Sequence, residues 1–381
     1  MSGKLKIMLA TLTILTTLLS ASCGKIIEKR EDTDASNTDS QATHENITIG
    51  SESESDTSAV DVSVVPEYTN PLTGLGISEE LSLKRPVAVM INNIKDAMPQ
   101  HGTSSADVIY ECIVEGAQTR LMAVYLDYES VPVIGSVRSS REYYLDFAMN
   151  HDAVYVHAGG SDEAYRQIKK SGINNLDGVN MYVPDMFYRD KERLKTMSLE
   201  HTLMTTGEKI ADGIEFKGYR SEADEDFVHP FKFVPFGEDA VPEGEGAKYV
   251  SVTYSDAHAP YYIYNEEKHV YERYQFGKEQ IDKNTDEQLS FENIIILYCD
   301  TYNTGDSYGH YSVKATGEGN GVYITRGKST SIKWKKPDRA TPVSFYTEDG
   351  GELQVNRGKT MMQICTTSMK NGTIISAEIP E

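Results

Sequence analysis

Four charged residues stand where apolar runs begin or end. Asp107 precedes the run Val108 to Val114, Arg120 precedes Leu121 to Leu126, and Arg138 and Arg141 follow Ile134-Gly135-Ser136-Val137. Guanidinium forks match phosphate and carboxylate geometry, so Arg120, Arg138 and Arg141 brought together with Asp107 would make an anion site. The Gly159-Gly160-Ser161 turn adds to it. Ser161 reads as the N-cap of a helix whose free N–H groups face an anion well. His157, just before that turn, would donate a proton or orient the ligand. The competing reading pairs the arginines with Glu111, Glu115 and Glu142 and makes them joints between elements.

No catalytic motif accompanies these residues. The chain has no HExxH, no GxSxG, no Walker loop and no GxGxxG. Its 9 histidines are scattered, and neither they nor Cys23, Cys112, Cys299 and Cys365 fall at zinc-ligand spacing. No metal and no cofactor is expected. Cys112 and Cys299 lie inside apolar runs and read as buried free thiols. Asp and Glu outnumber Lys and Arg by 58 to 37, a formal charge of -21, which excludes a nucleic-acid partner. The same charge would repel an anionic membrane surface, so attachment there needs an anchor.

The N-terminus supplies one. Lys4 and Lys6 precede an uncharged apolar run, Ile7 to Leu19, of signal-peptide length. Leu19-Ser20-Ala21-Ser22-Cys23-Gly24 follows, with small residues before a cysteine as in a bacterial lipobox; Ser20 stands where Leu is usual. Residues 1–22 are therefore expected to be a cleaved signal peptide and Cys23 a lipidated residue. A diacylglyceryl group brings two chains, enough for stable anchoring. Residues 23–66 have no aromatic side chain and read as an acidic, disordered stalk.

The residues with chemistry need a scaffold, and the remaining sequence provides two textures. From 67 to 225, the runs Val87 to Ile91, Val108 to Val114, Leu121 to Leu126 and Ala153 to His157 read as buried strands. The short gap between Val114 and Leu121 makes that pair antiparallel. Arg141 to Asn150 and Asp162 to Lys170 read as helices, the second stopped by Gly172. This is an α/β domain with a mixed sheet. From 226 to 381, alternating and tyrosine-rich segments indicate a mainly β domain, with a hairpin around Asn265-Glu266-Glu267-Lys268.

Several motifs recur together: Asn70-Pro71-Leu72-Thr73-Gly74, Arg85-Pro86-Val87-Ala88-Val89-Met90-Ile91-Asn92-Asn93, Ala106-Asp107-Val108-Ile109-Tyr110-Glu111, Ile134-Gly135-Ser136-Val137-Arg138-Ser139-Ser140-Arg141 and His157-Ala158-Gly159-Gly160-Ser161. Together they resemble the YerB-like lipoproteins of Gram-positive bacteria, from about residue 68 to the C-terminus. The resemblance implies two domains, an α/β one followed by a β-rich one, and anchoring through Cys23. It implies no reaction. Thr202 departs from it, standing after His201 where Asn is expected.

The order of Asp107, the Ile134 to Arg138 run and the Gly159-Gly160 turn is also similar to the LytR–CpsA–Psr phosphotransferases. That likeness implies transfer of cell-wall glycopolymers. Ser105 and Ser139 stand where that family places an arginine and an acid, so a pyrophosphate clamp and a magnesium ligand are missing. The sequence therefore favours a non-catalytic lipoprotein on the outer face of the cytoplasmic membrane, binding an anionic envelope ligand or an envelope protein. A glycopolymer phosphotransferase is the alternative.

Overall fold

The computed structural model describes residues 65–380. The signal peptide, Cys23 and nearly all of the expected stalk lie outside the described residues.

Ten strands form the central sheet. Those of the N-terminal region are β1 (Val87–Asn92), β2 (Val108–Ile113), β3 (Thr119–Tyr125), β4 (Val154–His157) and β5 (Asn175–Asp177). A second, smaller sheet starts the C-terminal region with β6 (Tyr249–Val252), β7 (Tyr261–Asn265) and β8 (Val270–Gln275). The chain then returns to the large sheet through β9 (Asn293–Cys299), β10 (Gly317–Thr325), β11 (Lys328–Lys336), β12 (Ser344–Thr347) and β13 (Thr360–Thr366). It ends in β14 (Thr373–Ser376), back beside β6. The large sheet runs β12-β11-β10-β9-β13-β2-β3-β1-β4-β5.

The apolar runs explain the centre of this sheet. Every residue of β1, β2, β3 and β9 is buried, as expected of strands covered on both faces. β2 and β3 pair antiparallel, in line with the short gap between them. β13 slots in parallel between β9 and β2, so the C-terminal region completes the sheet of the N-terminal one. The N-terminal region thus carries helices and a mixed sheet, and the C-terminal region is mostly antiparallel strands.

Side-chain alternation assigns the two faces. Tyr110 of β2 stacks on Phe147 of α1 (Glu142–Ala148) at 5.1 Å between ring centroids. The Tyr143 and Tyr144 hydroxyls donate to the Ile113 and Arg120 carbonyls. Beside α1 lies α2 (Asp162–Ser171), capped by the Ser161 side chain and ended by Gly172 at φ 70°, as the sequence predicts. Glu111 and Gln363, paired across β2 and β13, face the opposite side. There Tyr262 of the small sheet and Tyr254, two residues beyond β6, meet them. Cys112, Cys299 and Cys365 are buried and free.

β1, β2, β4, β5, β9 and β13 all point the same way, and β3 opposes them. Their carboxyl ends therefore share one edge, where open α/β sheets place their ligands.

Candidate functional site

The carboxyl edge holds most of the residues singled out by sequence. Arg120, at the start of the antiparallel β3, lies opposite Cys112 near the end of β2. Its guanidinium donates to the Ser139 carbonyl at 2.8 Å and reaches Glu115 Oε1 at 2.5 Å. Arg141 grips the same carboxylate, its Nε donating to Oε2 at 2.9 Å while its terminal nitrogen meets Oε1. Burial alone would raise the Glu115 pKa, but the two guanidiniums override it and hold the carboxyl at about 2. Desolvation, with Arg141 alongside, lowers Arg120 to about 10. Arg138 pairs with the more exposed Glu200 at 3.0 Å, and its Nε is buried with no partner among the described residues.

The joint reading of the arginines is therefore realised through Glu115, together with Glu200. Glu111 points to the other face, and Glu142 makes no ion pair with the arginines among the described residues.

Asp107 is not part of this group. It stands at the start of β2, about 16 Å along the strand from Cys112 and its neighbour Arg120. There it accepts from Asn70 Nδ2 at 2.9 Å and from the Leu126 N–H at 2.8 Å. Desolvation raises its pKa to about 6, although both hydrogen bonds pull it down. A phosphotransferase centre built from Asp107 with Arg120, Arg138 and Arg141 would need it at the other end of the sheet.

The glycine turn is fastened to the arginine segment by main chain. Ser140 N–H donates to the Gly159 carbonyl at 2.8 Å, and the Tyr155 hydroxyl donates to Ser140 Oγ at 2.9 Å. Gly159 adopts φ 78°, the left-handed region that glycine enters without a Cβ penalty. His157 is fully buried, with Nδ1 2.9 Å from the Gly159 carbonyl and Nε2 3.3 Å from Asn175 Oδ1. Behind it Asp177 accepts from the Gly159 and Val179 N–H groups and from the Tyr165 hydroxyl. Burial would raise Asp177, but His157 and these donors bring it below the ordinary carboxylate value. His157 thus holds the turn from beneath.

Beside this edge opens a cleft of about 1380 Å³. One wall is Ser139, Arg141 and Gly160 with the helices α1 and α2; the other is a hairpin arm, residues 302–316, and the loop 337–340. Of the sequence-predicted residues, Arg141, Gly160 and Ser161 line it; Arg120, Arg138, His157 and Gly159 are not among its lining residues. Arg339 ties the far wall to the near one, donating to Asp146 Oδ1 at 2.8 Å and to Gln167 Oε1 at 2.7 Å. Asp306 and His310 pair on the arm through Oδ2 and Nδ1 at 2.5 Å. Sequence reading missed the arm, although Asn303-Thr304-Gly305-Asp306-Ser307-Tyr308-Gly309-His310 carries dense turn chemistry. Among the described residues, no three His, Cys, Asp or Glu side chains are placed to hold a metal ion. No described helix is long and apolar enough to cross a membrane.

Residues 72–220 match the family model described as the N-terminal domain of a protein of unknown function, DUF3048, and residues 250–362 match the model of its C-terminal domain. The chain belongs to the DUF3048 family. This DUF3048 protein is 28 % identical over 298 residues to YerB of Bacillus subtilis strain 168, named as a candidate lipoprotein; the match covers 77 % of this chain and 85 % of the relative. The crystal structure of the B. subtilis YerB protein superposes with a TM-score of 0.71 at 26 % identity, covering 81 % of this chain and all of that one. The walls of the cleft are drawn from both matched regions.

Proposed function

We propose that this protein is a non-catalytic lipoprotein, held at the outer face of the cytoplasmic membrane by a lipid on Cys23, whose cleft binds an anionic envelope ligand. The likeness to YerB supports the anchoring, and the lipobox-like run ending in Cys23 supplies the residue. One observation carries the binding reading: the cleft is lined by Lys170 and Lys314, neither of which has a carboxylate within 4.0 Å among the described residues. The arginines behind the wall are neutralised by Glu115 and Glu200 and position the wall rather than bind. Arg141, Gly160 and Ser161 line the cleft, but the Arg141 guanidinium is itself held by Glu115.

The test is thermal unfolding of the full chain in detergent, with inorganic pyrophosphate and with anionic envelope polymers. A ligand at 100 times its dissociation constant stabilises by about 2.7 kcal/mol, a Tm rise of about 5 °C. The rise should vanish in a Lys170→Ala, Lys314→Ala double variant. A cooperative transition that no anion moves would remove the binding reading.

A further inference from the structure

The ladder between β9 and β10 stops before either strand does. Its register runs from Asn293 opposite Thr325 to Leu297 opposite Gly321. β9 nevertheless continues to Cys299, and β10 already begins at Gly317. Over that stretch β10 stays paired with β11 alone, Gly319 standing opposite Trp334. The two strands therefore part at the carboxyl end of β9, the edge where open α/β sheets place their ligands. A pocket of about 290 Å³ opens there, with Tyr298 on one side, Gly319 and Asn320 on the other, and Trp334 in its lining. Its volume is at the small end of the range for ligand pockets, roughly 300–1,000 Å³, and suits one small molecule.

Polar groups are left open at this point. Trp334 is 3 % exposed, and its Nε1 is buried with no hydrogen-bond partner among the described residues. Buried donors of this kind are rarely left unmade in folded proteins. The indole lies against bare main chain, since a Cβ on Gly319 would come within 2.7 Å of Nε1. The open donor thus sits where β10 has lost its neighbour. Along residues 317–320, alternate N–H and C=O groups also point away from β11, toward the gap that β9 has left.

The charges around the pocket are balanced and unpaired. Asp300 and Glu318 supply two carboxylates, Lys314 and Lys370 two ammonium groups. None of the four forms an ion pair among the described residues. A simple anion would meet as many carboxylates as lysines here, and a simple cation as many lysines as carboxylates. A molecule carrying one charge of each sign satisfies both pairs. A carboxylate drawn into the gap also gives the Trp334 N–H its acceptor.

We infer that this pocket is a binding site for a small zwitterion of the α-amino-acid class. Lys370 takes the carboxylate of the ligand, and Asp300 and Glu318 take its ammonium. The site is separate from the anionic ligand of the cleft and does not depend on it. Lys314 lines both, so the test is placed on residues that the cleft does not use.

Trp334 is the one tryptophan of the chain, so its fluorescence reports on this pocket. The full chain in detergent is titrated with alanine, leucine and phenylalanine, following Trp334 emission and heat together. Each amino acid is matched with the amine and the carboxylate left when one of its charged groups is replaced by hydrogen. At least one amino acid should shift the emission and bind about tenfold more tightly than both of its analogues. Lys370→Ala and an Asp300→Asn, Glu318→Gln double variant alter exposed side chains and should keep the thermal transition of the parent protein. Each should weaken the amino acid about tenfold. Analogues that bind as tightly as the zwitterion, or variants that bind it unchanged, overturn the assignment. So does the absence of heat and of an emission change with all three amino acids. Binding lost in a Lys170→Ala, Lys314→Ala variant but kept in Lys370→Ala would move the ligand to the cleft, and the assignment would fall while the cleft stands.

Discussion

Glu111 and Arg273 form an ion pair at 2.8 Å in which neither side chain has any solvent exposure. Glu111 belongs to β2 of the large sheet and Arg273 to β8 of the small one, so the pair pins the two sheets together. Asn93, Thr119 and Gln363 also donate to the Glu111 carboxylate. The guanidinium is satisfied further by Gln280, Gln275 and Tyr262. Removing one charge from such a pair strands the other in low dielectric and costs about 3–5 kcal/mol. Glu111→Gln should lower the urea unfolding free energy by that amount. A Glu111→Gln, Arg273→Met double variant should cost well under the sum of the two single changes. Additive losses would show that the two residues act independently.

Asp107 should impose a pH dependence of its own. Burial raises its folded pKa to about 6 from an ordinary value near 4. The folded state therefore binds the proton more tightly than the unfolded chain. The stabilisation is complete below about pH 4 and is lost as the pH rises through 6, at up to ~1.4 kcal/mol per pH unit. Urea midpoints from pH 4 to 7, compared with Asp107→Asn, should show this decline in the wild type alone. Parallel profiles would contradict the buried environment.

That residue also marks where the sequence was and was not legible. The apolar runs predicted β1 to β4 to within two residues, and Ser161 and Gly172 fixed α2, because burial and capping are local signals. The antiparallel reading of β2 and β3 already implied that Asp107 and Arg120, each at the start of its strand, lie at opposite ends. Grouping them by their shared position before an apolar run overlooked that geometry. Two acids four residues apart, Glu111 and Glu115, looked equivalent as partners for the arginines. Only the alternation of β2 and the arrival of β8 send Glu111 to Arg273. The insertion of β13 between β9 and β2 is a long-range pairing, and no local pattern announces it.

Glu115 restrains two arginines, and its removal should separate stability from binding. Its carboxyl is held at about 2 in the folded protein, so its stabilisation is present above the ordinary pKa near 4.5 and lost as the pH falls toward 2. Glu115→Gln should cost about 2 kcal/mol at neutral pH by urea unfolding. It should also free Arg141, which lines the cleft, and tighten binding of a carboxylated or phosphorylated probe several-fold. Weaker binding in this variant would mean that Glu115 serves the site by shaping it.

Lys336 offers a check on the far wall of the cleft. It is 1 % exposed and donates to Asn150 Oδ1 at 2.9 Å and to the Arg339 and Thr341 carbonyls at 3.0 and 2.7 Å. The ammonium thus anchors the 337–340 loop to the end of α1. Desolvation lowers its pKa to about 8, only partly offset by Asp146. The unfolded chain holds this proton up to about pH 10.4, so between pH 8 and 10 it binds more protons than the folded state. Stability from this group must then rise with pH, at up to ~1.4 kcal/mol per unit. Lys336→Met should abolish that rise when denaturation midpoints are compared between pH 7.5 and 9.5, below the range where tyrosines ionise. Identical slopes in the two proteins would show that the Lys336 ammonium is not desolvated as its burial requires.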